Sequence, residues 1–201
     1  MEIDSIPKIW SGRTVVILGS GPSISNLDLN LIFGKYRTIG VNHSFKLGPV
    51  DMLWFGDFGW YAANKADIHA FGGFKATCCP QMPDKPWPDI KKIKRQSKVS
   101  GLTTDRSDTV TWNSNSGTSA INVAYHLGAT RVLLAGFDMI AKSSTHHWHN
   151  FYKGKIRRNF DNHLKHYDAV ARDAQAVGLE ILNLNPNSAI KQFPFATLEK
   201  L

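Results

Sequence analysis

Short apolar runs alternate with polar stretches along most of this chain, and this alternation is its clearest structural signal. Strands are predicted where a run of four to six mostly apolar residues is bounded by turn-forming residues. Two longer stretches carry apolar residues at helical spacing, and each is followed by a glycine, Gly128 or Gly178, which favours the end of a helix. The predicted strands are 14–18, 37–41, 51–55, 74–79, 131–135 and 180–184, and the predicted helices are 116–127 and 161–177.

Strands that alternate with helices favour an α/β fold, with a Rossmann-like, mostly parallel sheet covered by helices on both faces. The pattern weakens near residues 80–112, where prolines and a basic run replace the apolar runs, so an insertion or lid is expected there. With 201 residues, 42% of them hydrophobic, the chain 1–201 is expected to form a single domain.

The end of the first predicted strand is the strongest candidate for a binding site. Glycines there let a ligand approach the backbone, and a proline suits the first position of a helix whose free amides attract anions. We therefore expect a phosphate group to bind, with a ligand-free strand-to-helix turn as the alternative. The turn lacks the full G-x-G-x-x-G fingerprint of a dinucleotide site and the Lys-Ser/Thr of a P-loop. A classical NAD site and a P-loop kinase are therefore both disfavoured. It consists of Gly19, Ser20, Gly21, Pro22 and Ser23.

Small or polar residues also follow the other predicted strands. Ligands of doubly wound sheets bind beyond the carboxyl ends of the strands, so these residues are expected to converge on one site. Each taken singly has an alternative role as a cap or turn former. They are Asn42, Asp57, Asp138, Asn187 and Ser188.

Charge favours an anionic ligand without choosing among nucleotides, nucleic acids and glycans, since the net charge is +8. The basic runs 91–98 and 153–158 are candidate phosphate contacts, although a solvated face is the commoner explanation of such a run. No apolar run approaches the length of a membrane span and no signal peptide is evident, so a cytoplasmic protein is expected. The adjacent Cys78 and Cys79 fit a reducing compartment and inert packing.

In their order, five segments resemble the bacterial sialyltransferases that decorate lipooligosaccharide and their relatives in the MptE-like, motility-accessory-factor superfamily. The resemblance implies a site that holds a cytidine nucleotide sugar, without a metal or other cofactor. The chain departs from the family pattern at two places. Ser20 stands where the family often has asparagine, and the tyrosine that supports the leaving phosphate in the family is missing after Asp138. The segments are VVILGSGPSISNLDL, IGVNHSF, DMLWFGD, NSGTSAINVAYHLGATRVLLAGFDM and LEILNLNPNSAIKQF.

The resemblance also implies which residues contact the donor. These are Gly19, Gly21, Ser23, Asn42, Gly56, Asp57, Ser116, Gly117, Thr118, Asn187 and Ser188.

A histidine-rich segment, 143–152, follows the strand end at Asp138. One imidazole, from His147 or His149, is expected to act as the catalytic base that takes a proton from an acceptor hydroxyl. The histidine base of inverting sialyltransferases comes from the same part of the chain. A zinc site and a surface loop without catalytic function are the alternatives. Lys153, Arg157 or Arg158 would then meet the charge on the departing phosphate.

These observations predict a glycosyltransferase that moves a sugar from a nucleotide sugar to an acceptor. The sequence does not identify the acceptor, and an anionic glycan or a nucleic acid is a candidate. Two alternatives stay open. One is a magnesium-dependent phosphotransferase or pyrophosphotransferase of the pterin diphosphokinase type. The other is a non-catalytic protein that binds nucleotides or nucleic acid, which the charge of +8 favours.

Overall fold

The computed structural model describes residues 4–83, 89–140, 147–149 and 160–201. Its strands are β1 (Thr14–Leu18), β2 (Arg37–Val41), β3 (Met52–Phe55), β4 (Phe74–Thr77), β5 (Ile90–Lys92), β6 (Lys94–Gln96), β7 (Thr109–Thr111), β8 (Arg131–Ala135) and β9 (Glu180–Asn183). Seven of them form one parallel sheet in the order β5-β4-β3-β2-β1-β8-β9, and β6 pairs with β7. An α/β fold with a mostly parallel sheet is therefore confirmed.

Helices cover both faces of the sheet because successive strand residues point to opposite sides. In β1, Val15 and Ile17 belong to a core that α3 and α5 cover. Val16 and Leu18 belong to a second core that α1 and α2 cover. None of the helices in the described part of the chain is long and apolar enough to cross a bilayer. The α-helices are α1 (Phe58–Ala63), α2 (Lys65–Ala70), α3 (Ser116–His126), α4 (Phe160–Leu164) and α5 (Tyr167–Ala176).

The chain changes direction within the sheet between β1 and β8. From β1 the sheet grows outward through β2, β3 and β4 on one side, whereas β8 and β9 lie on the other side. Connections leave the two sides in opposite directions at such a point, which opens a crevice beyond the carboxyl ends of the two central strands. The fold therefore places its natural ligand cleft where β1 and β8 end.

The helix predicted for 161–177 is interrupted. The structure has α4 and α5, separated by a turn at Lys165 and His166. The His166 amide donates to the His163 carbonyl at 3.3 Å, a tighter turn than an α-helix makes. Both ring nitrogens of His166 lie within hydrogen-bond distance of serine hydroxyls, which favours this turn over a continuous helix.

The segment predicted as an insertion or lid contains regular structure in its described part. Strand β5 extends the edge of the main sheet, and β6 and β7 pack beside α3, where the buried Asn122 side chain binds the backbone of Thr103 and Thr111. Strands of three residues are too short to show a periodicity, so the sequence pattern did not predict β5, β6 or β7. Cys78 and Cys79 are buried free thiols after β4, as expected.

Buried imidazoles predict a loss of stability in weak acid. Burial is the main cause that lowers the pKa of His43, His126 and His166 below the ordinary 6.5. Below that pH the unfolded chain binds more protons than the folded chain, so folding loses free energy. We expect the free energy of unfolding, measured with urea, to change little between about pH 8 and 7 and to fall between about pH 6.5 and 5.

The His126→Gln variant should show a smaller decrease over the same interval. Asp89 and Asp108 titrate below this interval, because hydrogen bonds from Lys75 and Arg106, respectively, lower the pKa of each carboxyl below the ordinary 3.8. A free energy of unfolding that is flat from pH 7.5 to 5 would contradict the prediction.

Candidate functional site

A cleft of about 380 Å³ lies at the carboxyl ends of β1, β2 and β8, at the point where the sheet order reverses. Its lining combines turns that follow these strands with the amino end of α3 and with two residues of α4. The lining residues are Gly19, Ser20, Gly21, Pro22, Val41, Asn42, Asp57, Trp112, Ser114, Asn115, Ser116, Gly117, Gly136, Phe137, Asp138, Met139, Ile140, His147, Phe160 and His163.

Ten of the residues predicted for the site line this cleft. Six others do not line it. Those in the lining are Gly19, Ser20, Gly21, Pro22, Asn42, Asp57, Ser116, Gly117, Asp138 and His147. Those outside it are Ser23, Gly56, Thr118, His149, Asn187 and Ser188.

Thr118 and Ser188 are buried within the scaffold. The Thr118 hydroxyl donates to the Tyr167 hydroxyl at 3.0 Å, and its amide donates to the side chain of Asn115 at 2.7 Å. The Ser188 hydroxyl donates to the Phe137 carbonyl at 2.6 Å. Asn187 is exposed on the turn after β9, with its amide bound to the Asn185 side chain. The polar character of these residues therefore shapes the turns that surround the cleft.

Asp138 ties three strand ends together. Its carboxylate accepts from the Ser23 amide at 2.9 Å, from the Ser23 hydroxyl, and from the Asn185 side-chain amide at 2.6 Å. Its own carbonyl accepts from the Ala189 amide at 2.9 Å. The residue is only 8% exposed. Asp138 thus holds the turns after β1, β8 and β9 in one arrangement, and its carboxylate has little capacity left for a ligand.

Replacing Asp138 by alanine should therefore lower stability strongly. A hydrogen bond to a charged group contributes roughly 1.5–3 kcal/mol, and three donors lose their partner, so we expect a loss of about 3 kcal/mol or more in urea unfolding. Asp57→Ala is the matched control, because Asp57 lines the same cleft with an exposed side chain that makes no capping bond to α1. Equal stability of the two variants would contradict the assigned role.

The turn after β1 differs from the predicted helix start. It leads into a five-residue 3-10 helix, Pro22–Asn26, rather than an α-helix. The Gly21 amide donates to the Gly136 carbonyl at 2.8 Å, and the Ser23 amide is bound by Asp138. Two of the amides expected to bind an anion are therefore already satisfied. The glycines serve close packing instead, because a Cβ on Gly19 would lie 2.7 Å from the Gly136 carbonyl oxygen.

Two polar side-chain atoms of the cleft residues are buried and have no hydrogen-bond partner among the described residues. They are the Asn42 side-chain oxygen and the Ser116 hydroxyl. Buried polar atoms are nearly always paired, and an unpaired one costs about 1–3 kcal/mol. A ligand that donates to the Asn42 oxygen would relieve this cost, so the two atoms mark the part of the cleft built for a polar molecule.

Backbone strain is concentrated at the same cleft. Four non-glycine residues among those described have a positive φ: Asn42 (52°), Asn113 (51°), Ser114 (62°) and Met139 (52°). Three of them line the cleft, and Asn113 precedes one that does. Such conformations cost of order 1–3 kcal/mol and persist where function requires a fixed geometry. The strain therefore supports the cleft as the functional site.

Only residues 147–149 of the histidine-rich segment are described, and they lie against the turn after β1. The His147 Nδ1 atom is 2.7 Å from the Ser20 hydroxyl, and the Trp148 amide donates to the Ser20 carbonyl at 3.0 Å. The His149 ring stacks on the His147 ring, with centroids 5.0 Å apart, and contacts the His43 ring edge-on at 4.7 Å. His147 thus lines the cleft, while His149 lies outside the lining and packs against the His147 ring.

The remaining residues of the segment 143–152, and the predicted phosphate contacts Lys153, Arg157 and Arg158, lie outside the described residues.

Sequence reasoning missed several residues of the cleft, of which Trp112 is the largest. It follows β7, and the Arg95 guanidinium stacks 3.7 Å from the centroid of its ring. Arg95 in turn donates to the carbonyl oxygens of Gly56 and Cys78. The basic run 91–98 therefore includes a residue with a fixed structural role. Trp112 would have been found by the strand-end rule if the three-residue β7 had been recognisable.

No protein-family model matches the chain, and no curated protein sequence matches it. Solved structures do match. Cst-I of Campylobacter jejuni, a monofunctional α-2,3-sialyltransferase, aligns with a TM-score of 0.61 and 14% identity over 93% of this chain and 81% of its own. The sialyltransferase CstII of the same organism, in complex with cytidine-5′-monophosphate, aligns with a TM-score of 0.59 and 14% identity over 93% and 86%.

A further CstII structure, in complex with a trisaccharide acceptor and CMP, aligns with a TM-score of 0.59 and 15% identity over 92% of this chain and 86% of its own. The chain therefore has a sialyltransferase-like fold, as the resemblance of its motifs implied.

Proposed function

We propose that this protein is a glycosyltransferase that binds a nucleotide sugar in the cleft between β1 and β8 and transfers the sugar to an acceptor hydroxyl. The unpartnered Asn42 oxygen carries the proposal, because it lines the cleft of a fold whose solved relatives bind CMP. The reversal of the sheet order at the same place gives independent support.

The nucleoside is proposed to lie between Asn42 and the amino end of α3. The Asn42 oxygen would accept from an exocyclic amine or a ribose hydroxyl, and the Ser116 hydroxyl can donate or accept. Gly117 is the second residue of α3, where helix amides are left without a helical partner. Since the amides of Gly21 and Ser23 are already used, this helix end is the better place for a phosphate.

His147 is proposed as the base that takes the proton of the acceptor hydroxyl. It lines the cleft beside the glycine turn, and its hydrogen bond to Ser20 fixes the orientation of the ring. His149 is proposed as a positioning residue that holds the His147 ring by stacking. The donor sugar would then lie between His147 and the turn after β8.

Nucleotide binding tests the proposal directly. Asn42→Ala and Ser116→Ala should each weaken the affinity for CMP about 5- to 12-fold, since each removes a hydrogen bond worth about 1–1.5 kcal/mol in a buried site. Calorimetry or a thermal shift measures the effect. Asn187→Ala is the matched amide control, because Asn187 is exposed outside the lining, and it should leave the affinity unchanged.

If the wild-type protein binds no nucleoside phosphate or nucleotide sugar, the proposal is wrong. A turnover that requires magnesium and consumes a nucleoside triphosphate would instead support the phosphotransferase alternative. Salt-dependent binding of polynucleotide without turnover would support the nucleic-acid-binding alternative.

A further inference from the structure

A serine-histidine-serine arrangement lies beside the cleft, and the proposed sugar transfer does not use it. The Nε2 atom of His166 is 2.9 Å from the Ser114 hydroxyl, and its Nδ1 atom is 2.6 Å from the Ser100 hydroxyl. One neutral imidazole can accept a proton from one serine while it donates to the other. The turn that separates α4 from α5 places His166 between the two serines.

Ser114 lies where a serine nucleophile is found in other α/β folds, on a sharp turn between a strand and a helix. It follows β7 and precedes α3 by two residues, and its φ of 62° is unusual for a serine. Strained turns of this kind expose a serine hydroxyl to the substrate. Ser114 is half-buried and lines the cleft, so a bound molecule can reach it.

Neighbouring groups hold this arrangement in place. The Asn113 side chain accepts from the Gly101 amide at 2.9 Å and donates to the Gly101 carbonyl at 2.8 Å. The next residue, Leu102, donates its amide to the carboxylate of Asp173 on α5 at 2.8 Å. The segments that carry Ser100 and Ser114 are therefore tied to each other and to the helix after His166. Catalytic groups need this kind of support to keep a productive geometry.

We propose that Ser114 is a nucleophile with His166 as its general base, and that the pair hydrolyses a carboxylic ester bound in the cleft. A nucleophile and a base within hydrogen-bond distance, with the base oriented by a third group, are the structural signature of this chemistry. Ser100 is the third group and acts as a positioning residue. The activity is separate from sugar transfer, and its substrate is an ester small enough for a cleft of about 380 Å³.

The reaction uses only the ester and water. The Ser114 oxygen bonds to the carbonyl carbon while its proton passes to Nε2 of His166. Collapse of the tetrahedral intermediate breaks the ester C–O bond, and the departing alcohol takes the proton from His166. Water then attacks the acyl-serine and gives its proton to His166, which returns it to Ser114 as the carboxylic acid leaves.

The surroundings of Ser114 and His166 favour the two charge states that the reaction requires, a neutral imidazole before attack and an oxyanion in the tetrahedral intermediate. Burial lowers the pKa of His166, with a smaller contribution from Lys165, so the ring is neutral and able to act as a base at neutral pH. Ser116 and Gly117 begin α3 beside Ser114, and the positive end of the helix dipole there stabilises a developing oxyanion.

A fluorophosphonate probe tests the proposal, because it reacts with an activated serine and loses fluoride. In the wild-type protein, mass spectrometry of peptides should place the adduct on Ser114. Ser114→Ala should abolish the adduct, His166→Gln should slow labelling about 100-fold or more, and Ser100→Ala should slow it several-fold. Ser97→Ala is the control, since Ser97 is an exposed serine of the same segment and should not affect labelling.

Hydrolysis of p-nitrophenyl acetate should follow the same order among variants whose thermal midpoints match the wild type. The wild-type adduct needs no variant to fold, so its position tests the assignment of Ser114 as the nucleophile independently of the variants. No adduct, an adduct on another serine, or labelling that His166→Gln leaves unchanged would each overturn the proposal. None of these results depends on whether the protein transfers a sugar, which nucleotide binding tests separately.

Discussion

A His147→Ala variant is expected to transfer sugar about 100-fold more slowly, or worse, while its affinity for the donor nucleotide changes little. The imidazole lines the cleft and is held 2.7 Å from the Ser20 hydroxyl, so it is placed to take a proton from an incoming hydroxyl. Removal of a general base raises the energy of the transition state without weakening ground-state binding. Turnover and CMP affinity should therefore be measured on the same preparation.

His149→Phe is the matched control for this prediction. Phenylalanine preserves an aromatic ring between His147 and His43 but has no titratable nitrogen, so most of the turnover should remain. If His149→Phe loses turnover and His147→Ala keeps it, the base is His149. If both variants match the wild type, this segment has no catalytic role.

Much of the sheet was predictable because its strands are buried on both faces. Strands β1, β2 and β8 have the bounds predicted for 14–18, 37–41 and 131–135, and each is followed by a small or polar residue. A fully buried strand needs a continuous apolar run, and such a run is visible without any knowledge of tertiary structure. The location of the cleft followed from the same strands by the rule for parallel sheets.

The role of each polar residue in the turns was not predictable, because a polar residue that contacts a ligand and one that fixes a turn have the same sequence pattern. Asp138, Thr118 and Ser188 follow the pattern of a site, yet the structure directs their side chains to other protein groups. Ser114 and His166 were not predicted as a pair because nothing in the sequence pattern connects them. They are 52 positions apart, and only the tertiary fold brings them within a hydrogen bond.

Replacing Gly21 by alanine is expected to destabilise the fold by about 3 kcal/mol or more and to abolish nucleotide binding as a consequence. The sequence alone predicts that a larger residue here would block the ligand and leave the fold largely intact. The structure gives a different reason for the glycine, because an added Cβ would lie 2.6 Å from the Gly136 carbonyl oxygen and 2.6 Å from the Asp138 carboxylate. Backbone conformation is not the obstacle, since Gly21 has a φ of −65°.

The methyl group would have to displace Asp138, which holds three strand ends, or the backbone of the turn after β8. At roughly 2–4 °C per kcal/mol for a chain of this size, the thermal midpoint should fall by about 6–12 °C. Gly59→Ala is the control, because a Cβ there meets nothing within 4 Å and alanine favours the helix α1. A Gly21→Ala variant that keeps its midpoint but loses CMP binding would show that the glycine makes room for the ligand rather than for Asp138.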